Sequence, residues 1–254
     1  MGTNSWTLSF EMKKDSVQVL QQVQNAWQQS VVQMKRMYGA SVVRPADPNE
    51  IFVVKVDSND EIKIEVNHVV FKVPEKANSR ASDLYIVVCG WLSFQGPDFS
   101  IKPLKTKSYG TWIGYFRSKP GQLSHVYGAH YDMDEERPGH PVFHSQIGPQ
   151  TAFGEIIKQQ FHLTDAIVDE MGNLLRTVRT PSAQMDIFSV FMQVSADHLF
   201  GKDPSKDVKR AFGSMRTASD FYLGAGNHLA YLNQPPANTC YRSRHWYDAP
   251  AANQ

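Results

Sequence analysis

Cysteine is almost absent: Cys89 and Cys240 are the only two. Two residues so far apart build neither a disulfide framework nor a cysteine-based metal centre, so a reducing compartment is the simpler setting. Long apolar runs are missing as well. The longest, Leu84 to Leu92, is about half the ~20 residues that a membrane-spanning helix needs. The opening Met1-Gly2-Thr3-Asn4-Ser5-Trp6 has no basic-then-apolar leader, and its sixth residue is not the Ser or Thr of a myristoylation motif. These absences predict a cytoplasmic protein with no membrane contact. Net charge is nearly zero: 26 Lys+Arg against 25 Asp+Glu leave +1. That excludes a strongly basic nucleic-acid wrapper and an acidic tail protein, though local patches stay open. No phosphate-cradling glycine loop, Gly-x-Ser-x-Gly elbow or His-Glu-x-x-His helix occurs. P-loop motors, α/β-hydrolases and zinc metalloproteases are thereby disfavoured.

What is present suits a soluble globular chain: 41% of the 254 residues are hydrophobic and 20% charged, enough apolar material for one core. Asp15 to Gly39 reads as a helix. Val17, Leu20, Val23, Trp27, Val31, Met34 and Tyr38 recur every three or four residues, and Gly39 suits the stop. Its other face is rich in uncharged amides, including Gln28, Gln29 and Gln33.

From Ile51 to Ile147 the period drops to two. Ile51 to Asp57 and Glu61 to Val73 flank a turn at Ser58-Asn59-Asp60, and Leu84 to Leu92, apolar on both faces, reads as a central strand. Consecutive strands without helices between them predict an antiparallel meander. Beyond Pro149 the helical period returns: Thr164 caps one segment, Thr180-Pro181 opens a helix that stops at Gly201, and Asp203-Pro204-Ser205 starts another. The predicted fold is α+β, with an N-terminal helix, a central antiparallel meander sheet and C-terminal helices covering one sheet face. Residues 1–232 form a single domain in this reading, and 233–254 form a C-terminal arm.

One stretch, Val126 to Ile147, stands out chemically. If it is a hairpin looping at Glu135 to Gly139, His130 faces His144, Asp132 faces Val142 and Asp134 faces His140. Side chains alternate along a strand, so His130, Asp132, Asp134, His140 and His144 share one face, while Tyr127, Ala129, Tyr131, Met133, Phe143 and Ile147 take the other. Such a face offers a ligand set for a divalent metal such as Zn or Mn. It equally offers a metal-free pair, His130 and His144 with Asp132, for general acid–base work near neutral pH. A plain solvated strand face is the simpler alternative, and a slip of one residue would scatter the set. His130-Tyr131-Asp132 also has the His-x-Asp spacing of an iron site completed by a distant histidine, but the stretches around His198 and His228 read as helical.

A second feature precedes this hairpin. Lys102, Lys105, Lys107, Arg117 and Lys119 are interleaved with Tyr109, Trp112, Tyr115 and Phe116, with no acidic residue between. Cations for phosphates and rings for unstacked bases hold RNA or single-stranded nucleic acid, and Arg242 and Arg244 in the tail repeat the combination. Aromatics turned into a core are the alternative. Two functions follow: a nucleic-acid-directed phosphodiester hydrolase, metal-dependent or His-based, or a non-catalytic subunit that meets a protein partner through the N-terminal helix or the C-terminal arm.

Overall fold

A computed structural model describes residues 25, 28, 31–36, 38, 39, 41–46, 52–56, 62–74, 83–94, 106–133, 143–171, 179–182, 185–199, 205–210, 212 and 213. The expected start of the N-terminal helix, the loop 134–142 and the arm 233–254 lie outside these residues. The elements are β1 Val43–Pro45, β2 Phe52–Val56, β3 Ile62–Pro74, β4 Asp83–Phe94, β5 Thr106–Lys119, β6 Gln122–Met133, β7 Phe143–Ile147, α1 Phe153–Phe161, β8 Ala166–Asp169, β9 Arg179–Pro181 and α2 Ile187–Val194. A π turn, Ser195–Leu199, continues α2.

β3 to β7 pair antiparallel in chain order, which is the meander that the period of two predicts. β8 lies parallel to the Gln122–His125 end of β6, beyond the reach of β7, so the sheet is mixed and the class is α+β. Strand β4 sends Ile86, Val88, Leu92 and Phe94 into one core and Tyr85 and Val87 into another. The first core is covered by α2 together with Val31 and Met34; the second is covered by α1 through Phe153 and Ile157. Helices therefore lie on both faces, not one. A central strand that is apolar on both sides needs cover on both.

Packing, not local propensity, makes these helices. α2 is eight residues long and buries Ile187, Phe188, Val190, Phe191 and Val194. Five such side chains contribute about 8–15 kcal/mol relative to exposure, whereas an isolated helix of that length is unstable in water. Its start is not Thr180-Pro181, which belong to β9 against β7. The N-cap is Asp186, whose carboxylate accepts the backbone N–H groups of Phe188 (3.0 Å) and Ser189 (3.1 Å). Where a helix is expected after Thr164, Ala166–Asp169 forms β8 instead, because pairing with β6 satisfies that backbone; 172–178 lie outside the described residues. Residues 31–36 are helical as expected, and Gly39, at φ 83°, closes that helix by donating to the Lys35 carbonyl at 2.9 Å.

One irregularity matters for the site. Tyr115 pairs with Tyr127, but Phe116 pairs with His125, so β6 carries Val126 as an extra residue. This bulge sends His125 to the α1 face, against Phe116, while Tyr127 stays on the α2 face. Among the described residues no helix is long and apolar enough to cross a membrane.

Candidate functional site

The β6–β7 hairpin forms with a register two residues away from the expected one. Asp132 faces His144, and His130 faces Gln146. A shift of two preserves the side-chain alternation, so His130, Asp132 and His144 still share a face. Ala129 and Met133 enter the opposite core, with Tyr127, Tyr131 and Phe143 packed against it, as the sequence predicts. Asp134 and His140 lie outside the described residues.

Asp132 joins the two histidines. Its Oδ2 lies 2.9 Å from Nε2 of His130, and its Oδ1 lies 2.7 Å from Nδ1 of His144. Burial alone would raise the Asp132 carboxyl; the contacts with His130 and His144 outweigh it and hold the group well below the ordinary carboxylate range. The three members differ in access. His130 and Asp132 are about a quarter exposed (24% and 26%), but His144 is buried at 1%. His130 is therefore the imidazole that a substrate can reach, and His144 backs the carboxylate from below.

An aromatic platform leads to this cluster. Glu65, Trp91, Gly110, Asp132 and His144 stand opposite one another across β3 to β7. The next row holds Cys89, Trp112, His130 and Gln146. The Trp112 ring stacks on His130, with centroids 5.5 Å apart and planes 10° from parallel. A Cβ on Gly110 would fall 2.5 Å from Trp91 Nε1 and 2.9 Å from the nearest Trp112 ring carbon. Glycine at this position is what lets both indoles lie against the sheet. Lys63 Nζ stands 4.7 Å from the centre of the Trp91 ring, a cation–π distance, and 3.5 Å from Glu65. Cys89 beside Trp112 is no nucleophile, since burial pushes its thiol up to about 12.

The chain matches no known protein family, no characterised protein and no solved structure. Its chemistry has to be argued from the geometry above.

Among the described residues no group of three or more His, Cys, Asp or Glu side chains is arranged to hold a metal ion. The cause is visible in the cluster: the donor atoms of His130, Asp132 and His144 are aimed at one another, not at a common point. His198 rests against Tyr115 on the α2 side, so the sheet separates it from His130 and Asp132.

Among the described residues the basic-aromatic run does not form one surface. Tyr109 and Phe116 are fully buried, in opposite cores, and the Tyr109 hydroxyl accepts the Met185 N–H at 2.9 Å. Trp112 joins the platform, whereas exposed Arg117 stands with Tyr115 on the α2 side. Exposed Lys119 is ion-paired with Glu170 at 2.5 Å. Lys107 falls on β5, and Lys102, Lys105, Arg242 and Arg244 lie outside the described residues.

Sequence reasoning missed Trp91, Lys63 and Gly110. Their signal was present as residues of matching parity on neighbouring strands, but register alone aligns them. It also missed His125, a fully buried imidazole whose Nδ1 lies 2.9 Å from Asp169 and whose Nε2 accepts the Gln150 N–H at 3.2 Å. These partners assign the proton to Nδ1. With both nitrogens engaged, His125 is a strut between β6, β8 and the turn before α1.

Proposed function

We propose that this protein is a His-based phosphodiester hydrolase acting on single-stranded nucleic acid, and on RNA in particular. The observation that carries the reading is the Trp112–His130 stack ending on Asp132. Stacking supplies a face for an unpaired base, worth ~1–3 kcal/mol per base, and Trp91 extends that face. The same ring that bounds the platform carries the proton chemistry. Asp132 holds His130 through Nε2, so Nδ1 is the ring nitrogen available to exchange a proton with substrate. His144, being buried, acts through Asp132 as a positioning residue.

RNA suits such a site because its nucleophile is built in. A general base that removes the 2′-hydroxyl proton lets that oxygen attack the adjacent phosphorus, and the departing 5′-oxygen takes a proton back. The mutual engagement of the three donors favours this acid–base form over the metal form.

The test is cleavage of a fluorophore-labelled single-stranded RNA in EDTA. The wild type should cleave, and His130→Ala should lose at least about a hundredfold in rate, the usual worth of a general acid–base, with an unchanged unfolding midpoint. An equally active His130→Ala, or an inactive wild type, ends the proposal; activity that requires added Zn or Mn moves it to the metal form. A second reading, a non-catalytic subunit of a larger assembly, draws on Val32, which is 51% exposed on the N-terminal helix near exposed Gln28. A stable monomer that cleaves RNA counts against it.

A further inference from the structure

On the α2 face, with the whole sheet between it and the Trp91–Trp112 platform, a cleft of about 420 Å³ opens over β5 and β6. Ile113 lies in its floor, Tyr115, Tyr127 and Tyr131 form its walls, and Arg117 and Gln193, both exposed, stand at its rim. The Val126 bulge keeps Tyr127 opposite Tyr115, edge to face with ring centres 5.7 Å apart and planes at 70°. Tyr131 is hydrogen-bonded to Tyr127, and the His198 ring lies 5.6 Å from that of Tyr115. The walls are therefore held by their own contacts before any ligand arrives.

Charge decides what such a cleft can take. Arg117 is the one formally charged residue of the lining. It is already engaged, and Glu170, itself paired with Lys119, acts on it electrostatically. The Tyr115 phenol is pushed up to about 12, by burial first and by Asp197 and Tyr127 after it; burial raises Tyr131 as well, so both are uncharged at ordinary pH. An anion in the cleft would find its one cation committed and the carboxylates of Glu170 and Asp197 nearby. A cation would meet Arg117 at the rim and, among the described lining residues, no carboxylate. Either would surrender hydration without gaining a partner, which is costly. A neutral molecule has no such loss.

We infer that this cleft binds a neutral planar aromatic molecule of one or two fused rings, its ring among Tyr115, Tyr127 and Tyr131 and its polar edge towards the Gln193 amide. The volume falls in the range of small-molecule sites. Tyrosine rings offer a flat guest both edges and faces without adding charge, and an amide supplies a donor and an acceptor at once. A nucleotide is disfavoured on the same ground as any anion. The site is independent of the hydrolase reading: it lies on the other face of the sheet and shares no residue with the His130 cluster.

Titration calorimetry of the full chain with three probes of one ring system tests it: indole, which is neutral, indole-3-acetate, an anion, and tryptamine, a cation. Indole should bind at one saturable site, with both charged probes at least about tenfold weaker, the least expected for a charge buried without a partner. Gln193→Trp, made at an exposed position of α2, should close the rim and abolish saturable indole binding with an unaltered thermal midpoint. The three-probe series on the wild type decides independently of that variant. Equal or tighter binding of either charged probe, a Gln193→Trp variant that binds indole as the wild type does, or no saturable binding of indole overturns the assignment.

Discussion

Replacing Asp132 by Asn keeps its size and removes the charge that links two histidines. In the wild type the carboxylate makes two close contacts, at 2.9 Å to His130 and 2.7 Å to His144. Contacts of this kind to a charged group contribute about 1.5–3 kcal/mol each when shielded. Asp132 is 26% exposed, so screening moves both towards the lower end, and their sum is about 3 kcal/mol. Against a total stability of about 5–15 kcal/mol that is a large fraction. With a urea slope near 3 kcal/mol per molar, the midpoint of Asp132→Asn should fall by about 1 M at pH 7. The pH dependence has a definite sign. The folded carboxyl is held below its ordinary range, so its contribution is complete above the unfolded value of about 4 and fades as acidification proceeds below it. The gap between wild type and variant should therefore narrow from pH 5 towards pH 3. A midpoint shift under about 0.2 M at pH 7, well below the worth of one such contact, would refute the reasoning. So would a gap that stays the same at pH 3.

Gly110→Ala puts a Cβ against Trp91 and Trp112; it should cost about 1–3 kcal/mol by overpacking, change the near-ultraviolet dichroism of the indoles and weaken RNA binding measured by fluorescence anisotropy. His125→Leu leaves the Gln150 N–H without its buried acceptor; denaturation should show a loss of about 1–3 kcal/mol, while cleavage per folded molecule stays unchanged. Asp186→Ala removes the cap of α2, where the carboxylate accepts two backbone N–H groups and the Ser189 hydroxyl. A loss of about 1–2 kcal/mol is expected, with amide exchange rising first in the opening turn of α2.

The strands were legible because alternation is local. Ile62, Ile64 and Val66 against Lys63 and Glu65, and the doubly apolar Leu84 to Leu92, announce an alternating and a central strand without reference to anything distant. The helices after Pro149 were less legible. Ala166–Asp169 carries apolar residues at a spacing that a helix also tolerates, and only its contact with Gln122–His125 makes it a strand. Thr180-Pro181 has the local chemistry of a helix start, yet β7 recruits it into the sheet and Asp186 takes the capping role.

By itself the sequence determined that His130 and Asp132 share a face, because a period of two fixes parity along one strand, and it brought His144 to that face for the assumed hairpin register or any even shift of it. Tertiary structure alone decided which atoms meet. The register pairs Asp132 with His144, sinks His144 while leaving His130 reachable, and aligns Trp91, Gly110 and Trp112 from separate strands into one platform. It also decided that Tyr115 and Arg117 look away from that platform, since neighbouring residues of a strand covered on both sides must serve two different cores. Alternation is a property of the chain; depth and distance between strands are properties of the pairing.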